Sequence, residues 1–382
     1  MAGKITTEID NYMAIVHDLA AEAEVWLSRP AWLEFAPNNV CNLRCIMCGQ
    51  ADGEPLLVMK KEDAVKFLDD VLPSTSLWTP SALSEPMLAN MALVIEKCRE
   101  HEVWLNFYSN ATLLDGKRFR GIADRIQKLH ISFDSHDKAV FESLRVRADF
   151  DTVVANIKEV LPIAAEMGVP VGFVAVLMAD NLAHLAEFVD FLADIGAAKA
   201  RSDIRVQPML YNSKGCAGRN VTDRFTEAEI AHELDRACER ARARGINLYV
   251  DFDLPLRREV TVVPPHVRGI MPDMLTHMTE TIRERYPHFC RMASYYLKVT
   301  PDGKVFPCCR APHELEMGNV HEEPIEKIWN GERYRTFRKR MFTGDYPNAC
   351  RSCSFLVENP AFEKRHEVRA GARPTGERVN PG

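Results

Sequence analysis

The chain has 382 residues, of which 46% are hydrophobic and 27% charged, and its formal net charge is −6. Such a composition is typical of a globular protein, and this length predicts two domains or slightly more. The acidic balance gives no electrostatic basis for binding nucleic acid or an anionic membrane, so neither partner is expected. No apolar run could span a bilayer, and the start lacks a signal peptide's apolar core, which predicts a cytoplasmic protein.

After an N-terminal lead over residues 1–30, for which we predict a helix, strand-like and helical patterns alternate up to residue 215. The strand-like runs are Trp32–Phe35, Leu77–Thr79, Val103–Tyr108, Lys128–Phe133, Val169–Leu177 and Ile204–Leu210. The helical patterns are Lys61–Val71, Met87–His101, Lys117–Ile126, Phe150–Met167 and Leu182–Ile195. This alternation over residues 31–215 predicts βαβ units and a parallel sheet, which six strands could form as a doubly wound sheet or as a partial barrel.

The rest of the chain is predicted to form a bridge over residues 216–285, a small C-terminal domain over 286–357 and a tail over 358–382. The bridge contains the patterns Thr226–Arg244, Leu248–Phe252 and Met274–Arg285, which are helical, strand-like and helical. The C-terminal domain begins with a hairpin signal, Pro301-Asp302-Gly303, between the runs Tyr295–Val299 and Lys304–Phe306. A short helix, Pro324–Met341, follows.

The chain has 11 cysteines, a large number for a cytosolic protein. Structural disulfides are rare in a reducing compartment, so clustered cysteines there indicate a metal site or catalysis. Three cysteines lie within residues 41–48 and five within 290–353, while Cys98, Cys216 and Cys238 stand apart. Cys98 and Cys238 each follow an apolar residue by four positions and are predicted to lie on buried helix faces.

The first group, Cys41, Cys45 and Cys48, follows the first predicted strand, where parallel sheets carry their sites. Soft thiolates at this spacing suit an iron–sulfur cluster. Three thiolates hold three irons of a 4Fe–4S cluster and leave the fourth iron open to an external ligand. Structural zinc needs four ligands, and no fourth Cys or His lies beside the group, which favours a cluster over zinc. A zinc site and a chance grouping of cysteines are the alternatives.

The segment from Cys41 to Cys48 resembles the CxxxCxxC signature of the radical S-adenosylmethionine (SAM) superfamily, with Met47 where that family often has an aromatic residue near the adenine. The resemblance implies a partial (β/α)6 TIM-like barrel with a small C-terminal iron–sulfur domain. It also implies that SAM binds the open iron and is cleaved to a 5′-deoxyadenosyl radical, which abstracts a hydrogen atom from a substrate carbon. A flavodoxin- or ferredoxin-type protein would supply the electron.

Further segments resemble the family's SAM-binding motifs in the same order along the chain. Ser84-Glu85-Pro86 resembles GGEP, although Leu83 replaces the first Gly, and implies a carboxylate for the SAM amino group. Asn110 belongs to a turn like the family's TNG, Ser132 opens an S-x-D segment, and Arg145 resembles the arginine that pairs with the SAM carboxylate. Taken singly, each has a structural alternative: Glu85 could be a carboxylate at a helix N-terminus, Ser132 a cap, and Arg145 a member of a surface ion pair.

The C-terminal cysteines resemble the SPASM extension of radical SAM enzymes. Twelve residues separate Cys290 from Gly303, four separate Gly303 from Cys308, and Cys350-x-x-Cys353 follows. A full SPASM domain has three further cysteines, and none follows Cys353, which implies a shortened, twitch-like version with one auxiliary 4Fe–4S cluster. Its ligands would be Cys290, Cys308, Cys350 and Cys353. Cys309 is an alternative to Cys308, and a four-Cys zinc ribbon is the alternative site.

Cys216, between Gly215 and Gly218 after the sixth predicted strand, is a candidate catalytic thiol that donates a hydrogen atom to a product radical; a plain loop cysteine is the alternative. Only residues 1–31 precede the first strand, too few for a leader-peptide domain. We therefore expect oxidation (dehydrogenation) or related remodelling of a small, carbohydrate-derived metabolite. The alternatives are a peptide-modifying maturase, acting by cross-linking or epimerisation, and a non-catalytic zinc or iron–sulfur binding protein.

Overall fold

A computed structural model describes residues 8–53, 55–81, 83–209, 213–251, 256–263, 268, 289–351 and 353. The predicted helix Met274–Arg285 and the tail over 358–382 lie outside the described residues. None of the helices in the described part has the length and apolarity needed to cross a bilayer.

One eleven-stranded sheet runs through the described chain, in the order β11-β10-β9-β1-β2-β3-β4-β5-β6-β7-β8. The strands are Trp32–Phe35 (β1), Leu77–Thr79 (β2), Trp104–Ser109 (β3), Ile126–Ser132 (β4), Val171–Leu177 (β5), Asp203–Pro208 (β6), Asn247–Val250 (β7), Arg258–Val260 (β8), Tyr296–Val299 (β9), Lys304–Phe306 (β10) and Gly318–Asn319 (β11). Strands β9 and β1 to β7 are parallel, whereas β8, β10 and β11 pair antiparallel. The sheet does not close into a barrel, because β11 and β8, at the two ends of the strand order, are both edge strands.

Helices lie before, between and after the strands of the described chain. They are Glu8–Ala20 (α1), Lys61–Val71 (α2), Met91–Glu100 (α3), Gly116–Ile122 (α4), Lys138–Leu144 (α5), Phe150–Met167 (α6), Leu185–Asp194 (α7), Val221–Arg224 (α8), Glu227–Arg244 (α9), Met292–Tyr295 (α10), Ile325–Trp329 (α11), Glu332–Thr343 (α12) and Asn348–Arg351 (α13). Helix α6 shows why such bounds follow from sequence. The Asp149 side chain accepts a hydrogen bond from the Thr152 amide at 2.8 Å, and Gly168 ends the helix with φ 66°.

Alternate residues of the strands face opposite sides of the sheet. Phe35 packs on Phe67 of α2 and Phe133 packs on Phe141 of α5, so these residues face the surrounding helices. Their strand neighbours therefore face inward. We call the inward-facing residues of β1 to β6 and β9 the interior face: Trp32, Glu34, Leu77, Thr79, Trp104, Asn106, Tyr108, Lys128, His130, Ser132, Gly172, Val174, Val176, Asp203, Arg205, Gln207, Tyr296 and Lys298.

An ion pair crosses one strand of the interior face. Lys128 on β4 and Asp203 on β6 approach to 2.5 Å, although β5 lies between them. Gly172 makes the crossing possible, because a Cβ there would lie 2.8 Å from Asp203 Oδ1 and 3.0 Å from Lys128 Cε. The ion pair therefore occupies space that a side chain at position 172 would fill.

We expect Gly172→Ala to destabilise the protein by about 1 kcal/mol, because the new methyl group displaces the ion pair. Gly121→Ala is the matched control, since a Cβ there meets nothing within 4 Å and a helical Gly→Ala change stabilises by roughly 0.5–1 kcal/mol. Thermal unfolding of the two variants should thus shift in opposite directions. Shifts of the same sign would contradict the proposed role of Gly172.

The N-terminal lead is fastened to the C-terminal domain through a buried arginine. Arg338 of α12 is 1% exposed, and its guanidinium carbon lies 4.1 Å from the ring centroid of Trp26 and 4.2 Å from that of Trp329. Its Nη1 donates to the Trp329 carbonyl at 2.8 Å. Cation–π contacts out of water are worth about 2 kcal/mol, so the contacts of Arg338 with Trp26 and Trp329 stabilise the junction between the N-terminal lead and the C-terminal domain.

Candidate active site at the carboxyl ends of the strands

Cys41, Cys45 and Cys48 lie in the loop that leaves the carboxyl end of β1. The loop is tied to the segment after α5 by two backbone hydrogen bonds, from Arg44 N to Val146 O at 2.9 Å and from Ile46 N to Leu144 O at 3.0 Å. A third bond, from Cys48 N to Cys45 O at 3.1 Å, turns the loop tightly.

The three thiols are close enough to influence one another's ionisation. Burial raises the pKa of Cys41, and it raises the pKa of Cys45 to about 11; in both cases a neighbouring thiolate adds to the rise. Such thiols ionise readily only beside a strong positive charge, which cluster iron supplies. The donor set, three thiols in one tight loop of which Cys41 and Cys45 are desolvated, therefore fits an iron–sulfur cluster.

Glu85 occupies the carboxyl end of β2 and is 2% exposed. Its Oε1 accepts hydrogen bonds from Ser109 Oγ at 2.8 Å and from the Met87 amide at 3.3 Å, and its Oε2 accepts from the Asn110 amide at 2.8 Å. Burial raises the pKa of this carboxyl group, while these hydrogen bonds oppose the rise. The carboxylate thus links the ends of β2 and β3.

Asn110 connects this carboxylate to the cysteine loop. Its Nδ2 lies 3.9 Å from Cys41 Sγ and donates to Asn42 Oδ1 at 3.0 Å. The GGEP-like and TNG-like segments, which are 24 or more residues apart in sequence, therefore meet at the first cysteine. Ser84 lies beside them, after Leu83, which has a left-handed φ of 57° at the position of the family's glycine.

Arg145 reaches the cysteine loop from the opposite side. Its Nη1 lies 3.8 Å from Cys45 Sγ, and its Nε donates to Asp134 Oδ2 at 2.5 Å. Burial alone would lower the pKa of Arg145, but the charges of Asp134 and of the Cys45 thiolate outweigh it and raise that pKa. In the sequence, Asp134 is recognisable only as the last residue of the S-x-D segment that Ser132 opens, and its pairing with Arg145 is not visible there.

The other two predicted cofactor contacts are Met47, which belongs to the cysteine loop, and Ser132, which belongs to β4. Met47 packs against the apolar cluster of Ile46, Leu144 and Met178. Ser132, at the end of β4, is on the interior face and is paired in register with Val174 of β5. The individual roles of these side chains remain predictions.

The Cys216 thiol lies directly behind the cysteine loop. It is 1% exposed, and its Sγ donates to the Ile46 carbonyl at 2.9 Å; the Ser213 hydroxyl donates to the same carbonyl. Gly215 allows this approach, because a Cβ there would already lie 3.3 Å from Ile46 side-chain atoms. These contacts support a bracing role for Cys216, and hydrogen-atom donation stays a prediction.

The four predicted ligands of the C-terminal domain share one electrostatic environment. Burial, followed by the charge of a neighbouring thiolate, raises the pKa of Cys350 to about 12; burial raises that of Cys290 to about 11, and the Cys353 thiolate adds to both shifts. Burial, followed by the charges of the Cys309 and Cys290 thiolates and then that of Cys353, raises the pKa of Cys308. The Cys353 amide also donates to the Cys350 carbonyl at 3.2 Å.

Cys309 has different neighbours from Cys308. Burial and the charge of Glu34 raise its pKa to about 11, and Lys298 opposes the rise. Lys298 Nζ lies 3.4 Å from the Cys309 carbonyl oxygen and 3.7 Å from Glu34 Oε1. Cys309 therefore adjoins the interior face, whereas Cys308 adjoins Cys290 and Cys353, which supports Cys308 as the ligand.

Comparison with known proteins identifies both parts of this arrangement. Residues 290–354 match the SPASM family, described as an iron–sulfur cluster-binding domain. The chain therefore shares a SPASM-like C-terminal part with that family, and its fold as a whole is that of two solved structures with bound S-adenosylmethionine. The structure of Streptococcus suis SuiB bound to S-adenosylmethionine superimposes with a TM-score of 0.57 at 16% identity, over 90% of this chain and 74% of that one. The structure of anSMEcpe with bound AdoMet gives 0.57 at 13% identity, over 89% and 95%.

These matches confirm the predicted resemblance and the partial-barrel fold class. They also confirm an iron–sulfur cluster as the cofactor type of the SPASM domain. The radical SAM fold further explains why the loops after β1, β2, β3 and β4 converge, since parallel strands end at one edge of the sheet. The SPASM domain is continuous with that sheet, because β9 pairs with β1 from Trp32 to Phe35.

Proposed function

We propose that the chain is a radical SAM enzyme that abstracts a hydrogen atom from a carbon of its substrate. The observation that carries this proposal is the convergence of Glu85, Asn110 and Arg145 on the loop of Cys41, Cys45 and Cys48. A 4Fe–4S cluster with SAM on its open iron supplies a 5′-deoxyadenosyl radical when both are bound. Similar folds with bound SAM support this assignment.

The chain's own residues would bind and orient the SAM amino acid. Glu85 would offer a carboxylate to the SAM amino group, held in place by Ser109 and the Asn110 amide. Arg145, held by Asp134, would offer its guanidinium to the SAM carboxylate. Both groups are buried, so their charges act without solvent screening.

We further propose that the reaction is an oxidation in which the SPASM domain accepts the electron. An auxiliary cluster on Cys290, Cys308, Cys350 and Cys353 would lie beside Cys309, which adjoins the interior face. The first electron would come from a flavodoxin- or ferredoxin-type donor. The second candidate is a peptide-modifying maturase, since solved structures of similar fold hold a precursor peptide or a Cp18Cys peptide.

Anaerobically reconstituted protein is expected to hold about eight iron and eight sulfide per chain, as two 4Fe–4S clusters require. With dithionite and SAM it should form 5′-deoxyadenosine even without substrate. Iron and sulfide analysis together with chromatography of the SAM products check both points. Zinc in place of iron would overturn the proposal in favour of a binding protein.

We expect Glu85→Gln to weaken SAM binding by about fivefold, because a charged hydrogen bond worth roughly 1.5–3 kcal/mol becomes a neutral one worth roughly 0.5–1.5 kcal/mol, a loss of about 1 kcal/mol. Iron content should stay unchanged, since Glu85 is not a ligand. Equilibrium binding of SAM to the reconstituted variant measures the effect. Ser109→Ala is the matched control, because it removes only one partner of the carboxylate; loss of iron in Glu85→Gln would show a structural role instead.

A further inference from the structure

The interior face differs from an ordinary enzyme pocket, because its side chains are largely polar. Ligand pockets are usually lined by hydrophobic and aromatic residues with a few polar groups. Its apolar side chains are four aromatic residues, Trp32, Trp104, Tyr108 and Tyr296, and three aliphatic ones, Leu77, Val174 and Val176. The apolar surface of the face is therefore mainly aromatic.

Every charged side chain of the interior face already has a partner of opposite charge. Lys298 lies 3.7 Å from Glu34, Lys128 lies 2.5 Å from Asp203, and Arg205 lies 3.4 Å from Asp251 at the end of β7. The side chains of the Lys298–Glu34 and Lys128–Asp203 pairs are at most 25% exposed, so a charged ligand that broke either pair would leave a poorly solvated charge behind. The face is thus suited to an uncharged ligand.

Neutral hydrogen-bonding groups connect the strands between these pairs. Asn106 Nδ2 donates to Thr79 Oγ1 at 3.2 Å, so its Oδ1 is free to accept from His130 Nε2 at 3.0 Å. Burial, with the charges of Lys128 and Arg205, holds the pKa of His130 well below its ordinary value. His130 is therefore a neutral imidazole that carries its hydrogen on Nε2.

A flat aromatic platform lies on this network. The rings of Tyr108 and His130 stack with centroids 4.2 Å apart and an interplanar angle of 8°. Tyr108 remains 37% exposed although its ring stacks on His130. The platform is therefore accessible to a ligand.

The interior face also reaches the SPASM domain. Lys298 of β9 belongs to this face, and its Nζ lies 3.4 Å from the Cys309 carbonyl oxygen. Tyr296 donates a hydrogen bond to Glu34. A ligand on Tyr108 would thus lie between the carboxyl ends of the strands and the residue next to Cys308.

We infer that the interior face binds an uncharged, hydroxyl-rich ring compound, a sugar or a cyclitol, stacked on Tyr108; this inference rests on the proposed function. The C–H face of such a ring packs on an aromatic ring, and its hydroxyl groups both donate and accept hydrogen bonds. The interior face offers a partner for each property, the aromatic platform for packing and neutral polar side chains for hydrogen bonds.

Saturation-transfer NMR on the cluster-loaded protein with SAM tests the inference with three probes: methyl β-D-glucopyranoside, myo-inositol and the tetrapeptide Ala-Ser-Gly-Ala. We expect transfer to the ring protons of the glycoside, the inositol or both, but not to the peptide. The signal should fall about fivefold in Tyr108→Ala, as loss of roughly 1 kcal/mol of stacking requires, and far less in Tyr108→Phe. Met13→Ala, an exposed apolar change on α1, should bind as the wild type does.

Transfer to the peptide alone would overturn the inference in favour of a peptide substrate, and transfer to none of the probes would overturn it outright. Equal signals from Tyr108→Ala and the wild type would refute the platform. The proposed function is measured separately, by iron content and 5′-deoxyadenosine formation in the wild type. Normal values there with no ring binding would reject the substrate class and leave the enzyme class standing.

Discussion

Replacing Cys45 by Ala is expected to abolish reductive cleavage of SAM. Cys45 is the central and most buried thiol of the triplet, 9% exposed, and it contacts Arg145 through Sγ at 3.8 Å. Two thiolates cannot hold a cluster with one open iron, so both cofactor sites of the barrel should be lost together. Chromatography of the dithionite reaction should show no 5′-deoxyadenosine, and iron should fall from about eight to about four per chain.

Cys238→Ala is the matched control for this experiment. Cys238 is also buried, at 3% exposed, but it lies on α9 and packs into the core. Its replacement should cost stability, about 1 kcal/mol as is usual for point mutants, without changing iron content or SAM cleavage. Normal 5′-deoxyadenosine formation by Cys45→Ala would refute the assignment of the triplet.

The parallel sheet was predictable because its signals are local. Strands such as Trp32–Phe35 and helices such as Phe150–Met167 have the predicted bounds, since apolar period and caps mark them. The antiparallel strands Arg258–Val260 and Gly318–Asn319 were not predicted, because the first is mostly charged and the second has no apolar residue. The predicted helix Pro324–Met341 is two helices, interrupted at Asn330-Gly331.

The site was predictable as a set of motifs but not as a geometry. The spacing of Cys41, Cys45 and Cys48 identifies the ligands of one cluster, and strand order places the other motifs at the same edge. Pairings across the sheet are not visible in sequence. The hydrogen bond from the Cys216 thiol to the Ile46 carbonyl joins residues 170 positions apart, and it supports a bracing role for that thiol.

Cys308 and Cys309 could not be distinguished from sequence because both follow the hairpin signal of Gly303. Both lie in the turn that follows β10, where no strand alternation shows which thiol faces the other cysteines. The charges of Cys290 and Cys353 act on Cys308, whereas those of Glu34 and Lys298 act on Cys309, which supports Cys308 as the ligand. This separation leads to the second prediction of large effect.

Cys308→Ala is expected to remove the auxiliary cluster, lowering iron from about eight to about four per chain, while Cys309→Ala keeps all eight. The two variants differ by one position and remove the same atom, so each is the control for the other. Iron analysis and the electron paramagnetic resonance signal of the reduced protein measure the outcome. Both variants should still cleave SAM with dithionite, because Cys41, Cys45 and Cys48 are untouched. The reverse pattern, with iron lost from Cys309→Ala and kept in Cys308→Ala, would place the auxiliary cluster against the interior face. Glu34 would then carry its negative charge beside a cluster of thiolates, an arrangement that like-charge repulsion disfavours.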